Sequence, residues 1–556
     1  MATELPDLGY KPTVGEAIKR AAQRFGDVDF LVLPDRRMTF AQAEAWSRRL
    51  ARQMLASGLG KGSRVGLFFT YGPEFVVAWL AALRIGALVM PFSTVSKPPE
   101  LRRMLRMGDV AVLLAPARLL GIDVCRYLEE VVPGLSDQAG DRPLLVDELP
   151  YLRSIWMVGA ASIPWARAIS LVDPQVDQRT GPHVGADGAE ATDALLAQVE
   201  EEVVPADLAQ VTYTSGSSAL PKGVVHSHGS IVRTTAHFGE LVQSGSSGMT
   251  ATPGARPASP GERRVFCAFP FFWIGGTLVL GGALHSGFTI LCLERFEPEE
   301  ALTMVERERA TSVAAWPSFI QSMRNHPSRV GRDLSSCPML TDGPSDVALV
   351  NSPVPGVPAH RGMSETVGNW YGVDRRVMDP ITGADLPEGA EGELLVRGYG
   401  LMQGYYKKER EEVFDPDGWF HTGDRAFLHG DRPYFKGRYS ETIKVRGANV
   451  SPREVELMLE GVPGVQHAIV MGLPRSTGSA GTAELDEEVT AVVVPAPGCA
   501  LDPAALADRA RAELSAYKVP TRWELFEAED EVPWLGSGKP DKGKLRELLR
   551  RRHAGP

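Results

Sequence analysis

The sequence predicts an α/β protein, with parallel sheets and crossover helices in a large N-terminal part and a smaller α+β unit behind it. Three observations carry this. Strand-like and helix-like segments alternate over about the first 400 residues, the rhythm of sheets joined by helical crossovers. At 556 residues the chain is too long for one core. After about residue 437 the rhythm changes to a short α+β pattern of a size that folds as its own domain.

The elements follow in order. Arg64–Thr70 (RVGLFFT) reads as a buried strand and Glu74–Ile85 as an amphipathic helix. Ala87–Pro91 returns as a strand, Glu100–Arg106 as a helix and Val110–Leu114 as the next strand. The same rhythm recurs through Arg264–Phe269, Thr289–Leu293, the helix Pro298–Arg309 and Ser312–Trp316. Asp173–Glu190 and Ser244–Glu262, rich in Gly, Pro and small polar residues, read as surface loops. In the last part, Ser451–Glu460 has proline in the first turn of a helix, Ala468–Leu473 and Val489–Pro495 read as strands, and Asp502–Leu514 as a helix.

Composition narrows the classes. With 44% hydrophobic and 23% charged residues the chain is that of a soluble globular protein. A net charge of −10 without a long basic stripe argues against a dedicated nucleic-acid binder, and the basic tail Leu545–Arg552 reads as a terminal helix with a solvated face. Five scattered cysteines without a C-x-x-C pair support neither a disulfide framework nor a zinc site, so a reducing cytoplasm is expected. No leader is read at the N-terminus. The most apolar run, Gly275–Leu293, is broken by Gly281, Gly282, His285 and Gly287 and is not read as a membrane span. Peripheral membrane contact and oligomeric state are left open.

The chemistry concentrates in a few polar, Gly-rich segments. Residues 213–224 read Tyr-Thr-Ser-Gly-Ser-Ser-Ala-Leu-Pro-Lys-Gly-Val, preceded by strand-like residues. Small residues let a backbone approach phosphate closely, hydroxyls donate, and Lys222 adds a point charge. Taken alone the run also fits a Ser/Gly-rich surface turn. It is not a P-loop, because Pro221 precedes Lys222 and Gly223 follows it. In Arg361-Gly-Met-Ser-Glu-Thr366, Glu365 offers the hard oxygen that magnesium takes, or Ser364 and Glu365 simply open a helix. In Gly418-Trp-Phe-His-Thr-Gly-Asp424, the carboxylate can accept both hydroxyls of a ribose, or the Asp makes a turn. Gly536-Ser-Gly-Lys539 places a lysine on a glycine-rich loop.

Together, residues 213–224, 361–366, 418–424, 436–456 and 533–545 resemble, in order and spacing, the signature motifs of the adenylate-forming (AMP-binding) superfamily, which holds acyl-CoA synthetases, peptide-synthetase adenylation domains and firefly-type luciferases. The resemblance implies a large N-terminal domain of doubly wound α/β subdomains plus a small β-barrel over residues 1–437. A hinge over 438–441, centred on Ser440, and a mobile C-terminal α+β domain over 442–556 would complete it. Thr214, Ser215, Gly216, Ser217, Ser218 and Lys222 would hold the ATP phosphates. Ser364 would touch the α-phosphate and Glu365 bind Mg2+. Gly343 and Pro344 would lie against adenine, Asp424 and Arg438 would hold the ribose, and Gly447 would line the coenzyme A channel. Lys539 would be the mobile catalytic lysine.

The chain departs from the pattern in places. Ser440 stands where Asp or Lys is common, and Arg361 replaces an aromatic whose stacking on adenine a guanidinium plane can reproduce. Trp273, in Pro270-Phe-Phe-Trp-Ile-Gly-Gly276, stands where many relatives carry histidine. It either walls the substrate pocket, with Phe272, Gly275 and Gly276, or is plain core. This segment carries no charge, which favours a fatty or other apolar-bodied carboxylic acid as substrate. An acyl-CoA synthetase of the fatty-acid–CoA ligase type is therefore expected. The alternatives are an amino- or aryl-acid adenylating domain of peptide-synthetase type, a luciferase-like oxygenase, or a non-catalytic nucleotide-binding protein on the same fold.

Overall fold

A computed structural model describes residues 5–139, 142–159, 163–171, 191–214, 221–244, 259–341, 372–430, 432–439, 443–445, 448–450, 452–474, 487–514, 516, 518–534 and 540–553. Two compact units divide the chain. Residues 1–350, 361–374 and 397–418 make the first, and 351–360, 375–396 and 419–556 the second.

In the first unit an eight-stranded sheet runs in the order Gly404–Tyr405, Lys222–Ser227, Leu208–Thr214, Leu88–Pro91, Arg64–Leu67, Val112–Pro116, Ser154–Val158, Arg167–Ile169. It is parallel from Leu208–Thr214 onward, and the first two strands are antiparallel to their neighbours. A five-stranded sheet runs Ser312–Ala314, Arg264–Cys267, Thr289–Leu291, Asp29–Val32, Arg37–Thr39, parallel except at the last pair.

Among the described residues six helices share one core with both sheets: Val14–Phe25, Phe40–Ala56, Pro73–Arg84, Asp193–Glu202, His228–Ser244 and Ile274–Ser286. That core joins Leu31, Val265 and Ile290 of the smaller sheet to Val65, Leu67 and Val89 of the larger. A helix flanked on both sides must be apolar all round. Pro73–Arg84 accordingly buries Phe75 through Arg84 without a break. Arg84 is tolerated there because Glu200 and Glu44 accept from it at 2.6 and 2.8 Å, and Ser47 Oγ at 3.0 Å. Where His228–Ser244 meets Ile274–Ser286, a Cβ at Gly281 would lie 2.5 Å from Thr235 Cγ2, so only glycine permits this approach.

The expected elements form, with shifted ends. Val110–Leu114 becomes Val112–Pro116 because Asp109 turns left-handed (φ 49°) and Val110 N–H bonds back to Leu105, which delays the strand. Gly275–Leu293 divides into the helix Ile274–Ser286 and the strand Thr289–Leu291, with Gly287 (φ 69°) ending the helix. Among the described residues no helix is long and apolar enough to cross a membrane.

The second unit holds a four-stranded sheet in the order Asp374–Met378, Gly392–Arg397, Phe420–His429, Arg432–Arg438, whose end residues Asp374 and Arg397 belong to the first unit. A three-stranded sheet of Val465–Pro474, Glu487–Pro495 and Arg522–Leu525 packs with the helices Pro452–Glu460 and Pro503–Glu513. The basic tail is the helix Lys542–His553, which buries Leu545 and Leu549 and leaves Arg551 and Arg552 to pair with Glu547 and Glu531.

Candidate functional site

The hydroxyl-rich run is framed by a hairpin. Leu208–Thr214 and Lys222–Ser227 pair antiparallel, and Thr214 is the register partner of Lys222. Both ends of the run therefore meet at the end of one ladder, where the last backbone groups and the lysine are presented together. Lys222 is exposed, with its Nζ 4.9 Å from the centre of the Tyr405 ring. The register explains the contact: Val224 pairs with Tyr405 in the flanking strand, and Lys222 lies two residues along on the same face. The flanking segment is pinned in turn, since Lys407 Nζ donates to Asp109 at 2.8 Å.

Beneath the hairpin lies a buried polar chain. Trp79 Nε1–H donates to Gln210 Oε1 at 2.8 Å, and Gln210 Nε2 donates to Thr212 Oγ1 and Thr277 Oγ1, each at 2.9 Å. Gln210 thus ties the strand to the helices Pro73–Arg84 and Ile274–Ser286. Tyr213, next to Thr214, faces Met90 Sδ, and burial raises its phenol far above the ordinary value, so it stays protonated.

Asp424 lies in the second unit, within the strand Phe420–His429 rather than in a turn. It is 2% exposed and is the register partner of Arg438. The two residues expected to hold a ribose are cross-strand neighbours. Thr422 Oγ1 accepts from Asp424 N–H at 2.9 Å and donates to Leu394 O at 2.8 Å, and Glu393 accepts from Gly423 N–H at 3.1 Å.

The family model of AMP-binding enzymes matches residues 18–351, more than half of the 556. The chain is an AMP-binding enzyme. It thus belongs to the adenylate-forming superfamily its motifs resemble. Among curated relatives, the feruloyl-CoA synthase of Amycolatopsis sp. is 29% identical, over 92% of this chain and 93% of that one. A methyl-dioxo-octahydroindenyl-propanoyl:CoA ligase of Mycobacterium tuberculosis is 27% identical over 96% and 99%. Among solved structures, the anthranilate CoA ligase AuaEII in complex with anthranoyl-AMP superposes with a TM-score of 0.75 over the whole of both chains at 21% identity, which establishes the shared fold.

In this AMP-binding enzyme the aromatic segment follows the parallel strand Arg264–Cys267, at the sheet edge where open α/β folds bind ligands. Trp273 caps the helix Ile274–Ser286 and is half-buried, packing edge-on against Phe272 (5.5 Å) and Trp316 (6.0 Å). It packs against the main core of the first unit while staying partly exposed. Trp316 also meets Phe269 at 5.1 Å. Phe272 is buried, and Gly276 is enclosed, since a Cβ there would meet the Pro270 carbonyl at 2.4 Å. Gly275 stays half-buried beside Phe269.

Sequence reasoning missed Trp316, Tyr405 and Glu393. Trp316 could have been found from topology, because it follows Ser312–Ala314, the parallel neighbour of the strand that leads into the aromatic segment. Ser215, Gly216, Ser217, Ser218, Gly343, Pro344, Arg361, Ser364, Glu365, Ser440, Gly447 and Lys539 lie outside the described residues. Among the described residues no cluster of three metal-ligating side chains occurs.

Proposed function

We propose that the enzyme is an AMP-forming acid–CoA ligase acting on a carboxylic acid with an apolar body. Support for the nucleotide half comes from two cross-strand pairs, one in each unit: Thr214 opposite Lys222, and Asp424 opposite Arg438. Support for the acid comes from Phe269, Trp273 and Trp316, an uncharged aromatic cluster that is still partly open. The two curated relatives named above, a CoA synthase and a CoA ligase by name, point the same way.

The reaction proceeds in two balanced steps. A carboxylate oxygen of the acid attacks the α-phosphorus of ATP, and the bond to the β-phosphate oxygen breaks, giving acyl-adenylate and pyrophosphate. The sulfur of coenzyme A then attacks the acyl carbon, the bond to the AMP oxygen breaks, and the thiol proton is lost. Lys222 and the hydroxyls of Thr214, Ser215, Ser217 and Ser218 hold the departing phosphates, with Gly216 giving the backbone room. Asp424 and Arg438 fix the ribose, Gly343 and Pro344 line the adenine, and Ser364 contacts the α-phosphate. Glu365 would hold magnesium, whose hard-oxygen preference and need for only one or two carboxylates suit it, and the ion would supply positive charge to the phosphates.

Lys539 places a positive charge between two anions, the attacking carboxylate and the α-phosphate, where it stabilises the charge that develops. Residues 442–556 form the mobile domain that carries Lys539 in and out about a hinge at Ser440, exchanging it for the Gly447 segment in the thioester step. Five free cysteines, three of them buried, suit work in the reducing cytoplasm.

The deciding experiment measures pyrophosphate release over a panel of fatty, aryl and alicyclic acids, with and without coenzyme A. Turnover should require an apolar-bodied acid, and thioester should form only with coenzyme A. Release driven by an amino acid with the adenylate retained would favour a peptide-synthetase type, and no turnover a nucleotide-binding protein. Lys539→Ala should lower adenylation by about 100-fold or more while ATP affinity changes little. Preserved adenylation overturns the mechanism.

A further inference from the structure

Asp424 sits where the backbone ladder fails. Glu393 pairs with Arg425, but Leu395 pairs with His421, whereas a regular antiparallel ladder would bring residue 423 opposite Leu395. On the other side the pairing slips again between Arg425 and Ala426. Residues 422–424 therefore lie in a bulge, with Gly423 at φ 69°.

Side chains replace the missing ladder bonds. The Glu393 carboxylate, largely buried, spans the bulge: Oε1 accepts from Gly423 N–H at 3.1 Å, and Oε2 lies 3.1 Å from His421 Nδ1. Thr422 Oγ1 closes the other half, accepting from Asp424 N–H and donating to Leu394 O. Bulges re-aim a side chain out of the sheet's alternation, and one braced at each inserted residue holds that aim fixed.

We propose that Glu393 and Thr422 are positioning residues for the nucleotide, holding the Asp424 carboxylate in the orientation that accepts the ribose hydroxyls. This rests on the ribose role given to Asp424 above.

The test compares ATP with 2′-deoxy-ATP and 3′-deoxy-ATP in the full-length enzyme. The wild type should favour ATP through KM. Glu393→Ala should raise KM for ATP about tenfold, the worth of a charge-assisted hydrogen bond, with kcat little changed. The deoxy analogue that lacks the recognised hydroxyl should be nearly unaffected, so the preference for ATP collapses. Glu393→Gln, which keeps an acceptor for Gly423 N–H, should restore most of the preference. Thr422→Val, similar in shape, should weaken the preference in the same way and decides the matter if Glu393→Ala does not fold. A loss equal for ATP and both analogues means a merely structural role and overturns the proposal. Asp424→Ala separates the two layers. If it keeps the wild-type preference for ATP, the ribose role itself falls; if it alone abolishes that preference, only the positioning role falls.

Discussion

The hairpin at Thr214–Lys222 and the bulge at Thr422–Asp424 solve one problem, the fixed presentation of a polar group, in opposite ways. In the hairpin, five successive register pairs from Gln210↔His226 to Thr214↔Lys222 run without a slip, and the backbone alone delivers Thr214 and Lys222 to one end. Side chains there work beneath the strand, with Gln210 tying it to the helices on its flank. In the bulge the ladder slips on both sides of Asp424, and side chains from Glu393 and Thr422 must do the backbone's work. A regular ladder fixes direction cheaply but only in alternation. A bulge escapes alternation and then depends on individual hydrogen bonds, so single substitutions should act on stability in the first place and on nucleotide recognition in the second.

That contrast breaks most visibly at Gln210. Gln210→Leu leaves the Trp79 N–H and the Thr212 hydroxyl buried without this partner, at about 1–3 kcal/mol for each unsatisfied group, and leaves Thr277 only its long bond to Trp273 O at 3.5 Å. The expected outcome is a loss of about 3 kcal/mol or more in unfolding free energy, read by thermal or denaturant unfolding, with KM for ATP nearly unchanged in the protein that remains folded. A raised KM with unaltered stability would reverse the assignment.

Acid sharpens the same division. Burial pushes His228 and His285 of the first unit down to about 4, and the neutral His228 Nδ1 accepts from Val14 N–H. An unfolded histidine takes its proton near pH 6.5. Between about pH 6.5 and 4 the unfolded state therefore binds more protons, and stability falls as pH falls through that window and levels off below it. Each histidine contributes on the order of 3 kcal/mol across the window. In the second unit His421, His429 and His467 keep 41, 60 and 30% of their side chains exposed. Hydrogen exchange at pH 7 and 4.5 should show protection lost first in the first unit, and equal loss in both units would count against this.

The smallest effect is expected at Tyr405, whose ring faces the Lys222 charge. An exposed cation–π contact contributes about 0.5–1 kcal/mol. Tyr405→Leu should raise KM for ATP about threefold, and Tyr405→Phe should not. If both variants behave alike, the ring is not what holds Lys222.

Legibility followed the range of the interactions involved. The crossover rhythm was readable because period and length are local properties, and Arg64–Leu67, Leu88–Pro91 and Arg264–Cys267 lie within the predicted segments. The motifs were readable because glycine, hydroxyl and lysine spacing is written along the chain. Tyr405 was not, since it reaches Lys222 through strand pairing across 183 positions of sequence, nor was Glu393, whose place is set by a register slip that no periodicity announces. Trp273 could not be divided between core and opening, because its surroundings include Trp316 from a different crossover.

The sequence by itself determined the fold class, the family and which residue types could bind phosphate, ribose and an apolar acid, because these depend on composition, order and spacing. Only the tertiary structure decided that Thr214 faces Lys222, that Asp424 faces Arg438 from within a bulge, and that Trp273 stands half-open beside Trp316. The physical reason is that register, bulges and ring contacts are set by pairing and packing between segments distant in the chain, whose energies no local pattern of residues encodes.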